Sequence, residues 1–361
     1  MTHEKFMRVA LQLAEKGRGK VSPNPMVGAV VVKGGKIVGR GFHRAFGKAH
    51  AEVNAIDDAG ASAKGSTLYV TLEPCTNYGH TPPCVDTIIS SGIRTVVIGS
   101  KDPNPLVNGR GTKMLKRSGI SVVTGVLPGE CVKLNEGYFS YVKTGRPLII
   151  LKIASTLDGK IALQDGSSRW ITGIWARSLV HRLRSKVDGI VVGVNTVIRD
   201  DPLLTSRGGR NPGRIVLDST LRIPESARLL KSIDMAPLLI ATTGKAPSAK
   251  VKRLTSLGAT VMKLDEDSCG RINLPSLLRE LPGKGILSLM VESGREVITS
   301  FLKQGIGDRL CLFLSPKVVG GENSLSWVGD IGVTALADSI FLRKAQIRTV
   351  GKDFMIEGTF K

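Results

Sequence analysis

The sequence has few aromatic residues, few cysteines and no long apolar run. Phe, Trp and Tyr make up only 4% of its 361 residues, which argues against a protein that binds nucleic acid by base stacking. No apolar stretch approaches the length of a membrane span, and the first residues lack the apolar core of a secretory signal. The five cysteines show no short-range disulfide framework and favour a reducing compartment. We therefore expect a cytoplasmic protein without a membrane partner.

Positive charge is in clear excess. The chain has 51 Lys and Arg against 30 Asp and Glu, which gives a formal net charge of +21. Such an excess raises the local concentration of anions and suits phosphorylated substrates or nucleic acid. The cations are dispersed and form no long Lys/Arg tract, so a solvated basic surface explains them equally well. The charge alone does not choose between these interpretations.

A cluster of potential metal ligands lies in the first quarter of the chain. His50, Cys75 and Cys84 belong to the segments H-A-E and E-P-C-T-N-Y-G-H-T-P-P-C. One imidazole and two thiolates leave a tetrahedral Zn²⁺ with an open position, where a water molecule can be acidified and used as a nucleophile. Glu52 follows the histidine at the distance of the proton-transferring glutamate in zinc deaminases. The pattern predicts hydrolytic deamination of an amidine-like ring carbon.

The spacing of the two cysteines differs from the usual P-C-x-x-C of nucleobase deaminases, because residues 76–83 separate them. The prolines of Thr81-Pro82-Pro83 favour an extended backbone, and the apolar pattern beyond them indicates a helix that begins near Cys84. A helix N-terminus favours the thiolate form that binds metal. A structural zinc site, for which His80 could supply a fourth ligand, and two unrelated thiols remain alternatives.

Apolar runs alternate with helical patterns along the chain, as in layered α/β folds. The pattern predicts an amphipathic first helix and one helix over Pro128–Val142. Turn chemistry follows at Thr144-Gly145-Arg146-Pro147, before a strongly apolar strand. We therefore predict two α/β domains, residues 1–145 and 146–361. The second half contains no G-x-G-x-x-G fingerprint, so a Rossmann cofactor site is not indicated.

Further motifs accompany the zinc segments over nearly the whole length of the chain. They are P-N-P-M-V-G at residues 23–28, D-P-N-P at 102–105, K-I-A-S-T-L-D-G-K at 152–160, S-R-W-I-T at 168–172 and G-V-N-T-V-I-R-D-D-P at 193–202. Together these motifs resemble those of the bifunctional riboflavin-biosynthesis deaminase/reductase family. The combination is far more specific than any one motif alone.

The resemblance implies a cytidine-deaminase-like three-layer N-terminal domain and a C-terminal α/β domain similar to dihydrofolate reductase. The first would use zinc to remove the ring amine of a diamino-ribosylamino-pyrimidinone 5′-phosphate. The second would reduce the ribose to a ribityl chain with NADPH. The implied partner is a small phosphorylated pyrimidine rather than nucleic acid. Sheet edges in the second domain also lead us to expect a homo-oligomer of two or more copies.

For the deaminase, the resemblance implies zinc on the ligand set described above, with Glu52 as the catalytic proton carrier. The residues implied to hold the pyrimidine and its ribose phosphate are Asn24, His43 and Asn104. Taken alone, they are ordinary turn and loop residues. The family usually has Lys or Arg where this chain has His80, which makes the charge at that position dependent on pH.

For the reductase, the resemblance implies two sets of residues. Those that would contact the nicotinamide nucleotide are Ala154, Trp170, Thr172, Thr196, Asp200, Ser293 and Gly294. Those that would face the ribose-phosphate substrate are Lys152, Ser168, Arg184, Leu204, Arg207 and Glu292. Guanidinium groups suit a phosphate because they offer paired donors. Without the resemblance, Arg184 would be read as part of a solvated helix face and Arg207 as a loop charge.

One position departs from the family pattern. This chain has Ser293-Gly294-Arg295 where the family typically has two consecutive glycines. The resemblance implies that this turn approaches the cofactor pyrophosphate through a backbone that glycine tolerates best. Because Ser293 is small, we expect NADPH binding to survive, and a lower affinity for NADPH stays open as an alternative. Three alternatives stay open: a deaminase with a degenerate reductase domain, a nucleic-acid deaminase, and a non-catalytic basic binding protein.

Overall fold

The computed structural model describes residues 3–78 and 81–360 of the chain. The chain divides into two compact units, Met1–Arg146 and Pro147–Lys361, called below the N-terminal unit and the C-terminal unit. Among the described residues, no helix is both long enough and apolar enough to cross a membrane.

The N-terminal unit has helices on both faces of one mixed sheet. Its strands are β1 (Gly28–Lys33), β2 (Lys36–Phe42), β3 (Thr67–Leu72), β4 (Thr95–Ser100) and β5 (Ser121–Thr124). Its helices are α1 (His3–Ala14), α2 (Ala51–Ala59), α3 (Cys84–Ser90), α4 (Arg110–Arg117), α5 (Pro128–Leu134) and α6 (Glu136–Thr144). The strand order is β2-β1-β3-β4-β5; β1 is antiparallel to both neighbours, and β3, β4 and β5 are parallel.

Strand β1 is buried on both faces of this sheet. Successive side chains of a strand point to opposite faces. Val31 packs in the core cluster that includes Ala55 of α2, whereas Val30 packs in the cluster that includes Met7 of α1. The strand therefore appears in the sequence as an uninterrupted apolar run rather than as an alternation of apolar and polar residues.

Two glycines allow α2 to lie close to the sheet. A Cβ atom on Gly41 would overlap the main-chain carbonyl of Ala51, and one on Gly39 would overlap that of Ala55. Any larger residue at either position would push α2 away from β2. The close approach fixes the first turn of α2, where His50 is the N-cap.

The single helix predicted over residues 128–142 is wrong, because the structure has two helices, α5 and α6, that are separated at Asn135. The Asn135 side chain accepts a hydrogen bond from the main-chain N–H of Met26 at 2.8 Å and donates one to the Met26 carbonyl at 2.8 Å. These contacts join segments that are distant in sequence. Helical periodicity reports only on local neighbours and therefore did not indicate the break.

The C-terminal unit is built around a large, mainly parallel sheet. Its strands are β6 (Leu148–Thr156), β7 (Lys160–Ala162), β8 (Gly189–Gly193), β9 (Gly213–Leu217), β10 (Leu238–Thr242), β11 (Thr260–Lys263), β12 (Ser288–Val291), β13 (Arg309–Ser315), β14 (Leu325–Ser326), β15 (Arg343–Val350) and β16 (Asp353–Thr359). Its helices are α7 (Ile174–Arg184), α8 (Val194–Asp200), α9 (Arg228–Lys231), α10 (Ser248–Ser256), α11 (Leu274–Glu280) and α12 (Arg295–Lys303). The sequence patterns did not indicate α8, α9 or α11.

The strands of the large sheet follow the order β11-β10-β9-β8-β12-β6-β13-β16-β15, while β7 and β14 form a small separate pair. The strands from β11 to β13 in this order run parallel, and β16 and β15 add antiparallel pairings at one edge. Helices α11 and α12 cover one face, and α9 and α10 contribute to the core on the other. The carboxyl ends of β6, β8 and β12 meet at one edge of the sheet, where open α/β sheets bind ligands.

Candidate active sites

The three predicted zinc ligands lie together at the first turns of α2 and α3. Nδ1 of His50 lies 3.1 Å from Sγ of Cys84 and 3.5 Å from Sγ of Cys75. The three ligand atoms lie within 4.8 Å of one another. A tetrahedral zinc ion, with Zn–N near 2.05 Å and Zn–S near 2.3 Å, holds such N and S atoms about 3.6 Å apart. The arrangement therefore fits zinc.

The electrostatic setting of the two thiols also suits a metal. The main-chain N–H of Cys84, at the start of α3, donates a hydrogen bond to Sγ of Cys75 at 3.4 Å. The side-chain hydrogen bond from Cys84 lowers the pKa of Cys75, and the same interaction raises the pKa of Cys84. The raised pKa favours the protonated thiol at Cys84. Zinc binding displaces this proton because only thiolates act as ligands.

Glu52 lies inside the same site and is only 3% exposed. Burial raises the pKa of its carboxyl group to about 7, and the negative charge of Cys75 adds to the shift. A carboxyl group with a pKa near neutrality can both accept and return a proton. The charge of a bound zinc ion would oppose this rise, because it favours the carboxylate.

His43 and Asn24 form one wall of the N-terminal cavity. His43 is 2% exposed, and burial lowers its pKa, so the ring is neutral. Its Nδ1 lies 3.2 Å from the Ala49 carbonyl, and its Nε2 lies 3.3 Å from the amide nitrogen of Asn24. A carbonyl only accepts, so Nδ1 carries the proton and Nε2 accepts from Asn24. This contact leaves the other amide groups of Asn24 available to the cavity.

The N-terminal cavity has a volume of about 200 Å³ and brings together residues from five parts of the chain. Its predicted members are Asn24, His43, His50, Glu52, Cys75 and Asn104, and Cys84 is buried beside it. Sequence reasoning missed Glu73, Asp102 and Tyr138, which also line it. Glu73 accepts hydrogen bonds from the main chain at Gly109 and Thr112 and so caps α4. His80 lies outside the described residues.

The C-terminal unit contains a cavity of about 530 Å³ at the carboxyl ends of its parallel strands. All the positions that the resemblance implied for the reductase line this one cavity: Lys152, Ala154, Ser168, Trp170, Thr172, Arg184, Thr196, Asp200, Leu204, Arg207, Glu292, Ser293 and Gly294. They come from five separate stretches of the sequence. Sequence reasoning missed Arg177 and His181, which α7 presents to the same cavity.

A buried ion cluster forms the floor of this cavity. Nε of Arg184 donates to Oε1 of Glu292 at 2.7 Å, and its second amino group donates to Oε2 at 2.9 Å. Nζ of Lys152 lies 3.5 Å from the same carboxylate. Burial alone would raise the pKa of Glu292, but the charges of Arg184 and Lys152 outweigh it and lower the pKa to about 2. Two of the three guanidinium nitrogens of Arg184 thus donate hydrogen bonds to Glu292.

Arg207 is the more accessible of the two arginines that were predicted to meet the substrate phosphate. It is exposed, lies in the loop after β8 and α8, and has a left-handed backbone with φ of 48°. Within residues 3–78 and 81–360 its guanidinium has no carboxylate partner. Its donors are therefore available to an anion in the cavity.

Trp170 forms the rim of the cavity and is 63% exposed. The guanidinium of Arg177 lies 4.3 Å from the centre of its ring and donates a hydrogen bond to the Thr172 carbonyl at 2.7 Å. Nζ of Lys317 donates a hydrogen bond to the main-chain carbonyl of Trp170 at 2.9 Å. A large exposed indole in contact with Arg177 offers a flat surface to a planar ligand.

A second cavity of about 490 Å³ adjoins the first and shares Thr196, Ser293 and Gly294 with it. The first residues of α8 and α12 line it. Its basic residues are Arg199, Arg222, Arg271 and Arg295. Helix N-termini and guanidinium groups are both suited to phosphates. The two cavities together fit an extended phosphorylated dinucleotide such as NADPH.

Comparisons with known proteins divide the chain in the same way. Residues 1–100 match the cytidine and deoxycytidylate deaminase zinc-binding region. Residues 147–356 match the RibD C-terminal domain. The predicted fold classes, cytidine-deaminase-like for the first domain and dihydrofolate-reductase-like for the second, are confirmed.

Full-length relatives give the same result. The chain is 46% identical to riboflavin biosynthesis protein RibD of Aquifex aeolicus, over 97% of this chain and 96% of the relative. The solved structure of Acinetobacter baumannii RibD is 32% identical and superposes with a TM-score of 0.86 over 99% of this chain and 98% of its own. A deaminase/reductase structure from Thermotoga maritima is 39% identical, with a TM-score of 0.81 over 99% of this chain and 98% of its own. The chain belongs to the RibD family of riboflavin biosynthesis proteins.

Proposed function

We propose that this chain catalyses two consecutive steps of riboflavin biosynthesis. The first is hydrolytic deamination of 2,5-diamino-6-ribosylamino-4(3H)-pyrimidinone 5′-phosphate, and the second is reduction of the product's ribosyl group to a ribityl chain. The proposal rests on one combined observation. The N-terminal unit has a ligand set suited to zinc beside the buried Glu52, and the C-terminal unit has two adjoining cavities lined by basic residues.

In the N-terminal unit, a bound zinc ion would acidify the water molecule that attacks the ring carbon. Glu52 takes one proton from this water and delivers it to the adjacent ring nitrogen. The same carboxylate then carries the proton of the newly added hydroxyl group to the amine, which leaves as ammonia. Water thus supplies the carbonyl oxygen of the product, and the protons balance.

In the C-terminal unit, bound NADPH would supply the hydride that C1′ of the sugar accepts; the C1′–O4′ ring bond breaks, and O4′ takes a proton from solvent. The helix starts and arginines of the second cavity support binding of the cofactor phosphates. The exposed indole of Trp170 supports the planar end of the cofactor, while the cluster around Glu292 holds the floor rigid. Hydride transfer requires such close and rigid positioning of both partners.

We propose that Arg207 binds the substrate phosphate. Its guanidinium is exposed to the cavity, whereas that of Arg184 already makes two hydrogen bonds to Glu292. Arg184 would then act mainly by holding the cavity floor. This assignment gives part of the large positive charge a role in binding phosphorylated molecules.

We also propose that the chain works as a homo-oligomer in the cytoplasm. Strand β15 lies at the edge of the large sheet, and Ile347 on it is 69% exposed. Phe341, just before β15, is 76% exposed. Unpaired strand edges with exposed apolar side chains favour association with a second copy. Light scattering should show an oligomer that Ile347→Glu converts to a monomer. A monomeric wild type would contradict the proposed oligomer.

The proposed location in the cytoplasm rests on the zinc ligands. The cytoplasm keeps the ligand thiols of Cys75 and Cys84 reduced, as zinc binding requires.

The whole function can be tested in one experiment. The chain is incubated with the diaminopyrimidinone ribotide, with or without NADPH, and the products are analysed by mass. Deamination alone is expected without NADPH, and the deaminated ribityl product with it. Deamination without any reduction in the presence of NADPH would support a degenerate reductase domain. Ammonia release from RNA, but not from the ribotide, would instead indicate a nucleic-acid deaminase.

A further inference from the structure

Tyr138 reaches into the N-terminal cavity from α6, a segment that the deaminase family match over residues 1–100 does not include. Its hydroxyl donates a hydrogen bond to Oδ1 of Asp102 at 3.0 Å. The main-chain N–H of Asn104 donates to the same oxygen at 2.8 Å. Both Tyr138 and Asp102 line the cavity that contains the zinc ligands.

The direction of this hydrogen bond is well defined. Burial raises the pKa of Tyr138, and the charge of Asp102 adds to the effect, so the phenol stays protonated and donates. Asp102 is 7% exposed, and its carboxylate acts as the acceptor. Within the described part of the chain, Oδ1 is occupied by two donors, whereas no hydrogen bond reaches Oδ2. One oxygen of a fixed carboxylate is therefore available to a ligand in the cavity.

The start of α6 also holds a second loop of the cavity. Asn135, the N-cap of α6, makes its two hydrogen bonds to the main chain of Met26. Asn24, two residues earlier, lines the same cavity. One turn of α6 thus fixes both the loop with Asn24 and the loop with Asp102.

We propose that Tyr138 is a positioning residue of the deaminase: it holds the Asp102 carboxylate so that Oδ2 accepts an N–H group of an amino-substituted pyrimidine. This inference rests on the proposed function and specifies how the substrate is chosen. A carboxylate can only accept hydrogen bonds, so it favours a ring that presents N–H donors and disfavours one that presents an acceptor at the same place. Loss of the phenol hydroxyl leaves Oδ1 of Asp102 with only the Asn104 N–H as donor, so the carboxylate is held less firmly.

The test compares Tyr138→Phe with Tyr141→Phe, the same change one turn further along α6 at a residue outside the cavity lining. Both variants should keep wild-type zinc content and should reduce previously deaminated substrate at the wild-type rate. Tyr138→Phe should lower kcat/KM for ammonia release about 10- to 100-fold, mainly by raising KM, because an interaction with a charged group is lost. Tyr141→Phe should stay within about twofold of wild type.

A double-mutant cycle with Asp102→Asn shows whether Tyr138 acts through Asp102. In the Asp102→Asn background, Tyr138→Phe should lower kcat/KM for ammonia release little further, because the hydrogen-bond partner of Tyr138 is already changed. Fully additive losses, or a Tyr138→Phe enzyme as active as Tyr141→Phe, would overturn the inference while leaving the proposed function intact. A wild-type chain that contains zinc but releases no ammonia from the ribotide would overturn both.

Discussion

The hydroxyl group of Ser293 accepts a hydrogen bond from the main-chain N–H of Gly193 at 2.9 Å. The contact joins the loop after β12 to the end of β8, where the two cavities of the C-terminal unit adjoin each other. The backbone of Ser293 lies outside the left-handed region that favours glycine. The side chain that departs from the family's glycine pair is therefore accommodated without backbone strain, and it ties together two strand ends.

We predict that Ser293→Ala weakens NADPH binding, because the loop after β12 loses the bond that holds it to β8. One lost hydrogen bond of about 1 kcal/mol corresponds to a roughly fivefold higher Kd, which a fluorescence titration can measure. Ser293→Gly should weaken binding at least as much, opposite to the effect expected if glycine were required there. Ser256→Ala, at the exposed end of α10, is the matched control. Tighter binding by the glycine variant would show that the bond is not what holds the loop.

Cys84→Ser should lose most of its zinc and all deamination, because a serine hydroxyl is a poor substitute for a thiolate ligand. NADPH binding by the C-terminal unit should stay within about twofold of wild type, since the ligands lie in the other unit. The measurements are zinc content per chain, ammonia release and NADPH titration. Cys269→Ser changes an exposed thiol and should alter none of them. Stoichiometric zinc together with full activity in Cys84→Ser would contradict the ligand assignment.

Glu52→Gln should keep its zinc and deaminate at least about a hundredfold more slowly, because glutamine preserves the shape of the side chain but cannot carry a proton. The test is single-substrate kinetics of ammonia release beside a zinc determination. Asp57→Asn, on the exposed side of α2, serves as the control. Loss of zinc in Glu52→Gln would make Glu52 a metal ligand, and near-normal turnover would assign the proton transfer to another group.

Arg207→Lys should weaken binding of the deaminated substrate more than binding of NADPH. Lysine keeps the charge but replaces the paired donors of the guanidinium with a single ammonium, which we expect to raise KM for the substrate about tenfold. Arg210→Lys is the control, because Arg210 lies three residues away and contacts Asp188 instead of the cavity. An equal loss of affinity for cofactor and substrate would argue against a phosphate contact at Arg207.

The ion cluster around Glu292 should make stability depend on pH. Its pKa is about 2 in the folded protein against an ordinary value of 4.5, so the cluster stabilises the fold above that value and this contribution is lost as the pH falls from about 5 towards 2. Glu292→Gln leaves Arg184 and Lys152 unpaired and should lower the free energy of unfolding by about 3 kcal/mol at pH 7. Denaturant titrations should show that this difference shrinks as the pH is lowered through that window. A difference that does not change with pH would assign the loss to packing.

The zinc site could be predicted because its ligands lie in short sequence segments with a recognisable order of residue types. His50 and Glu52 belong to one helical turn, and each cysteine follows a proline that shapes the backbone before it. The fold classes were predicted from motifs spread along the chain and are confirmed, whereas the roles of the individual cavity residues remain predictions. Arg184 shows the difference, since its position on α7 indicated a basic group but not its pairing with Glu292, which is 108 residues away.

The sequence by itself determined the chemistry of the ligands, the alternation of strands and helices, and the two-domain order, because all of these depend on residue type and local spacing. Only the tertiary structure decided that Asn135 breaks a helix to hold Met26, that Tyr138 fixes Asp102, and that Ser293 joins two strand ends. Each of these contacts links residues that are far apart in the chain. Their hydrogen bonds form only after the sheet has brought the segments together, so no local pattern records them.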